Sequence, residues 1–221
     1  MKKVFKVLIG TAIFFILIFG LYLYKLHALA LEGNKIYQQR CLVVNPPLIA
    51  YKNSFLSFAD AVKNSDKYTA EEGRSFFYDY IDEMRKYVPE ETKWLETNGK
   101  FINRWDFRLL EPWYLKQAGE YQQKMYEGYR DDAKYMLEIF DNGGTNEELS
   151  AKFSEARERR NNYSQLYFDL YDKASAINDW RKIFGYVPIP EGCTEEVLTI
   201  PDTSGALEPS PAPVKNPDVT G

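Results

Sequence analysis

The residue types that carry most protein chemistry are scarce and scattered in this chain. His27 is the single histidine, and the two cysteines, Cys41 and Cys193, stand at opposite ends of the sequence. A Ser-His-Asp triad, a histidine-bearing zinc site and the Glu-x-x-His pattern of di-iron bundles each lack their central residue here. Gly143-Gly144 has no following Lys-Ser/Thr and no preceding strand, so it is not a phosphate cradle. Carboxylate-only chemistry, as in glycan cleavage, needs two acids facing one another across a bond. Among 32 acidic residues none forms a pair that the sequence sets apart. No catalytic, cofactor-binding or metal-ligating residue is assigned on this basis, and no cofactor is implied.

Two features do single out residues. The first is aromatic: Phe101, Trp105, Phe107, Trp113 and Tyr114 crowd into fourteen positions of a chain with 14 Phe, 17 Tyr and 4 Trp. Such rings can form a stacking surface for a sugar or peptide. They can equally fill a core, since each buries about 150–250 Å² and few aliphatics lie near them. Packing is the stronger of the two readings. The second feature is Arg160, at the end of the mixed run Glu155-Ala156-Arg157-Glu158-Arg159-Arg160. Most of that run reads as a solvated helix face, with Glu155 and Arg159 paired at i, i+4. Heptad register turns Arg160 inward, where a guanidinium needs a carboxylate or a binding partner.

The elements that would position these residues are helical. Val7–Tyr24 is an uncharged apolar run preceded by Lys2, Lys3 and Lys6. At about 1.5 Å per residue it spans roughly 27 Å, close to the thickness of a bilayer core. It is longer than the usual secretory h-region, which favours a retained signal anchor. The competing reading is cleavage after Ala30, at Ala28-Leu29-Ala30. The three leading lysines put residues 1–6 in the cytoplasm and the bulk of the chain outside.

Past the span, a helix is expected through Leu26–Val44, stopped by Asn45-Pro46-Pro47. Phe55, Phe58, Ala59 and Val62 then mark a short apolar face. Thr69-Ala70-Glu71-Glu72 reads as a capping box opening a helix that buries Phe77, Ile81, Met84 and Val88 and ends near Pro89. A short helix over Glu90–Thr97 follows. Pro112 suits a helix first turn, and Tyr114, Ala118, Tyr121, Met125, Tyr129, Met136 and Phe140 form its inner stripe. Asn142-Gly143-Gly144 ends it.

A second box, Thr145-Asn146-Glu147-Glu148, opens a helix to about Phe184. Its seam is Leu149, Phe153, Ala156, Arg160, Tyr163, Tyr167, Leu170, Ala174, Ile177, Arg181 and Phe184. Two long helices joined by so short a link must pack antiparallel. The second outruns the first, so Trp180, Ile183 and Phe184 require cover from the juxtamembrane helix.

Charge separates the tail from the body. From Tyr186 onward there are six acids and one base, so residues 1–185 carry about +1 of the −4 total. A near-neutral body gives no footprint for nucleic acid. Seven of the eleven prolines lie in the same stretch, and 201–221 reads as a disordered acidic tail. Outside the cytoplasm Cys41 and Cys193 can oxidise to a bridge that staples the start of the soluble part to its end.

The sequence therefore describes an all-α chain. A cytoplasmic n-region (1–6) and a transmembrane anchor (7–24) lead into an extracytoplasmic antiparallel helical bundle (25–200) with a long helical hairpin, then the tail. The expected role is a binding or scaffold module for another envelope component, through a protein partner. A carboxylate-dependent cell-wall glycan enzyme and a structural coiled-coil spacer are the alternatives from other classes. Two facing carboxylates in a deep pocket favour the enzyme.

Overall fold

The computed structural model describes residues 2–144 and 146–177, and among these there is helix and no strand. The elements are α1 (Lys2–Gln39), a π-helical turn (Arg40–Val44), α2 (Asn45–Lys63), α3 (Ala70–Ile102), α4 (Trp105–Leu110), α5 (Trp113–Asp141) and α6 (Glu147–Ala176).

One helix near the N-terminus is long and apolar enough to cross a membrane. Val4 to Leu21 of α1 is exposed on all sides, and Leu26 is the first fully buried residue of the chain. The hydroxyl of Thr11, inside the apolar run, donates to the Val7 carbonyl at 2.9 Å and so needs no outside partner.

Asn45-Pro46-Pro47 does not stop the helix, contrary to the expectation from sequence. The chain stays helical from α1 through the π turn into α2, with proline at the first turn of α2. A proline in an ordinary helix clashes with the carbonyl four residues back. Here the turn before it is wider, with the Asn45 N–H bonded to the Arg40 carbonyl. The widened ladder makes room for the rings. The Ile36 carbonyl accepts from Trp94 Nε1 at 2.9 Å.

Pro89 likewise does not end a helix. It lies inside α3, which runs on where a separate Glu90–Thr97 helix was expected. Tyr87, Glu91, Trp94 and Leu95 on both sides of Pro89 are buried, and their packing outweighs a lost backbone bond. The Thr69–Glu72 box is present in full: Glu72 N–H donates to Thr69 Oγ1 at 3.2 Å, and Thr69 N–H donates to Glu72 Oε2 at 2.7 Å. At α6 the capping residue is Asn146, which accepts from the Leu149 N–H at 2.8 Å. Thr145, expected there, lies outside the described residues. Asn and Thr are comparable caps, so neighbouring candidates compete.

The helix α6 ends at Ala176, with Ile177 already extended, and not near Phe184. Arg181 and Phe184 of the seam, Trp180 and Ile183, Cys193 and the 201–221 tail all lie outside the described residues. On α2, Phe55 and Phe58 pack against the core and Ala61 is buried, while Val62 is 52% exposed.

Residue pairings set the helix directions. Arg40 meets Glu91, Ile36 meets Trp94, and Glu32 pairs with Arg104, so α3 runs antiparallel to the second half of α1. Phe58–Phe77 and Tyr51–Tyr87 ring contacts make α2 and α3 antiparallel too. Asp131–Arg159 and Tyr121–Tyr163 do the same for α5 and α6. Gly143 (φ 69°) makes the left-handed exit from α5 that a β-carbon disfavours.

Gly128 sets the closeness of α5 and α6. A β-carbon there would fall 2.7 Å from Arg160 N and Cα. The domain thus has two ends. The near end, beside the apolar run of α1, gathers the end of α3, all of α4, the start of α5 and the end of α6. The far end holds the α2–α3 and α5–α6 turns.

Candidate functional site

An apolar cavity of about 640 Å³ opens at the near end, between α1, α3, α5 and α6. Leu26 and Leu29 of α1, Trp94 and Phe101 of α3, and Tyr114 and Ala118 of α5 form much of its wall. Asn34, Asn98, Gln122 and Tyr167 add polar groups. A largely apolar cavity of this size with a few convergent polar groups is the usual form of a ligand site. Among the described lining residues Glu111 is the only carboxylate, so the two-acid geometry of glycan cleavage is not found among them. Among the described residues no three His, Cys, Asp or Glu side chains gather as a metal site would require.

The aromatic residues picked from sequence divide into two sets around this cavity. Phe101 and Phe107 pack together, centroids 4.8 Å apart, against Leu29 and Ile102. Tyr114 is buried in the wall. Trp105 and Trp113 face outward, 76% and 62% exposed. The intervening stretch, weak in helical signal, forms the short helix α4 because Phe107 anchors it inward and Asp106 takes the Phe107 N–H at 2.9 Å.

Trp94 joins the cavity to a second constellation that sequence reading missed. Arg40, on the π turn, donates to Glu91 Oε1 at 2.5 Å, and both side chains are fully buried. The guanidinium lies 3.4 Å from the Tyr126 ring centroid and 4.7 Å from that of Trp94. Two aromatic faces thereby replace part of its lost hydration. Burial pushes the Glu91 carboxyl above its ordinary range, and Arg40 pulls against it. Burial also raises the Tyr126 phenol, to about 12. The Tyr51 ring stacks on Tyr87 at 5.5 Å and on Tyr80 at 5.6 Å, extending the aromatic packing towards α2.

A third cluster lies between α5 and α6. Arg160 donates to Asp132 Oδ2 at 2.6 Å, with side chains 14% and 7% exposed. Its guanidinium also sits 5.3 Å from the Tyr129 ring centroid. Burial raises the Asp132 carboxyl, while Arg160 and Arg157 oppose that shift. Cys41 is buried on the π turn, next to Arg40; Cys193 is outside the described residues.

Chemically, these arrangements differ. The two ion-pair clusters tie helices together, whereas the cavity has room to receive a ligand. The chain was compared with protein-family models, curated proteins and solved structures, and no match was found among any of them.

Proposed function

We propose that this chain is a single-pass membrane protein with residues 1–6 in the cytoplasm and its helical domain on the other side, acting as a binding module for another envelope component. The near-end cavity is where that component engages. One observation carries the reading: the cavity wall begins at Leu26 and Leu29, on the same unbroken helix as the exposed apolar run and directly after it. A binding site held there by a continuous helix stands at a fixed height over the bilayer surface. Two buried clusters stiffen the bundle around it. The lining is suited to an apolar segment or chain with a few hydrogen-bonding groups, and not to a polyanion.

The experiment is crosslinking in the native membrane from a photoreactive residue at Ala118, on the cavity wall, with a second at Glu83 on the far part of α3 as control. A partner captured from position 118 and not from 83 supports the reading. Equal capture from both positions, or none from 118, overturns it.

A further inference from the structure

The near end of the domain exposes large apolar side chains where a soluble surface would be polar. Trp105 is 76% exposed, Leu109 71%, Trp113 62% and Leu115 43%. Trp105 and Leu109 are one helical turn apart on α4 and share a face. The far-end turns are different in kind: Asn64-Ser65-Asp66-Lys67 and Asn142-Gly143-Gly144 are polar or small.

The direction of this patch follows from the packing of α3 on α1. Arg40–Glu91, Ile36–Trp94 and Glu32–Arg104 descend α1 as α3 ascends in number. Leu29 then packs with Phe101, Ile102 and Phe107. The chain turns over through α4 at that level, and α5 leads away again, reaching Arg40 only at Tyr126. So α4 lies beside Leu29 and Glu32, only about 8–12 Å along the helix axis from Tyr24, where the apolar run stops. Tryptophan and leucine at such a depth match the aromatic belt of membrane proteins, whose rings sit at headgroup level.

The two arginines at α4 are paired within the protein. Arg104 pairs with Glu32 and with Asp106 (2.7 Å), and Arg108 with Glu120 (2.9 Å). What this face itself offers a surface is its apolar side chains.

We infer that the α4 face of Trp105 and Leu109, with the exposed Trp113 at the start of α5, docks on the outer headgroup and acyl boundary of the bilayer that α1 spans, as a second membrane contact. This rests on the anchored reading above. Contact at two points holds the domain at a fixed tilt and seats the cavity mouth against the lipid.

The test uses the full chain reconstituted in phosphatidylcholine vesicles whose acyl chains carry bromine near the headgroup. Rings buried about 5–10 Å into the boundary meet the bromine, so tryptophan emission should fall by about a third to a half relative to unbrominated vesicles. Trp105→Phe/Trp113→Phe, at two exposed positions that leave the core intact, should abolish most of that loss.

Alkaline carbonate extraction separates this idea from the anchor it rests on. Protein released by carbonate overturns the anchor, and this inference with it. Protein that resists carbonate yet shows equal emission in both vesicle types overturns the docking face alone. Blue-shifted emission without bromine quenching also overturns it, and means that protein covers the patch. The cover is a second copy if the shift follows the protein-to-lipid ratio, and residues 178–221 of the same chain if it does not.

Discussion

At the level of Arg40 the helices of this domain close on one another; at the level of Leu26 they stand apart. The closed region holds Arg40, Glu91, Tyr87, Trp94 and Tyr126 in mutual contact, with Ile81, Met84 and Ala133 fully buried around them. The open region holds the cavity and, outside it, bare tryptophans. Both regions draw on α3 and α5 and on the same residue types. The difference lies in what the rings meet. Between α2, α3 and α5 they meet each other and a guanidinium. Between α1, α5 and α6 they line a space. Stability should therefore be concentrated in the closed half, and substitutions of equal size should cost more there.

The largest effect should come from breaking the buried pair. Arg40→Ala or Glu91→Ala leaves one charge buried without its partner and should cost about 3–5 kcal/mol. Urea unfolding of the full chain in detergent, followed by circular dichroism, measures it. Arg40→Leu/Glu91→Leu together should recover most of the loss, since an apolar pair of similar bulk avoids desolvation altogether. A single substitution costing under about 1 kcal/mol would mean that water reaches Arg40, and the contrast between the halves would disappear.

Next in size is the Cys41–Cys193 bridge expected from sequence. Cys41 belongs to the closed half, so a bridge would staple the C-terminal part of the chain to the stiff region. Cys41→Ala should then cost roughly 2–4 kcal/mol, somewhat under the chain-entropy value for so long a loop. Thiol titration of the denatured, unreduced protein decides whether the bridge exists: no reactive thiol is expected. Two reactive thiols would sink the staple, and Cys41 would then be an ordinary small buried residue.

Glycine-to-alanine replacement compares the halves by one chemical change. At Gly128 the new carbon would lie 2.7 Å from the α6 backbone at Arg160, which is too close. Forcing α5 from α6 should cost about 1–3 kcal/mol and loosen the Arg160–Asp132 pair. At Gly33 the nearest atoms are the Phe101 ring at 3.5 Å, an ordinary contact. Gly33→Ala should be neutral or stabilising by up to about 1 kcal/mol, from helix propensity. Equal costs at both positions would refute the idea that the near end is loosely packed.

What the sequence made legible follows the same division. Helix content, the exposed apolar run, the first capping box and the inner stripe of α5 were readable because each is a local pattern. Arg160 was readable because the α6 seam keeps its three–four alternation past it. The Arg40–Glu91 pair was missed for a traceable reason. Ile81, Met84 and Val88 continue in register through Glu91, Leu95, Asn98 and Ile102, but Pro89 suggested a stop, and the stripe was not followed beyond it. Arg40 was hidden differently: Leu26, Leu29, Ile36, Arg40 and Val44 share one face of the expected Leu26–Val44 helix, but nothing local marks that face as inward, and Leu48 joins it only because the helix passes through Asn45-Pro46-Pro47. Both proline signals are real local costs that tertiary packing overrode. The cavity, and the outward turn of Trp105 and Trp113, depend on how four helices diverge, and no local spacing encodes that.

The smallest expected effect tests whether the far end stands on local terms alone. Thr69 caps α3 there, well away from Arg40, and its box with Glu72 is solvent-exposed. Thr69→Ala should cost about 1 kcal/mol, whatever happens at the buried pair. The two perturbations share no partner, so the costs of Thr69→Ala and Glu91→Ala should add. Acid provides a second handle. Hydrogen bonds from the Thr69 N–H and hydroxyl hold the Glu72 carboxyl below its ordinary range. A carboxylate whose folded pKa is depressed stabilises the fold above its unfolded pKa, and that contribution is lost as pH falls through the folded value. The stability gap between wild type and Thr69→Ala should therefore be constant near neutrality and narrow below the ordinary glutamate pKa of about 4.3. Unfolding curves for both proteins across that range measure the gap. If it stays constant into acid, the Thr69 hydroxyl adds nothing to the hold on Glu72 beyond the backbone N–H bond that both proteins keep. If it widens, the far end is coupled to the buried carboxyl of Glu91, and the two halves of the domain are not independent.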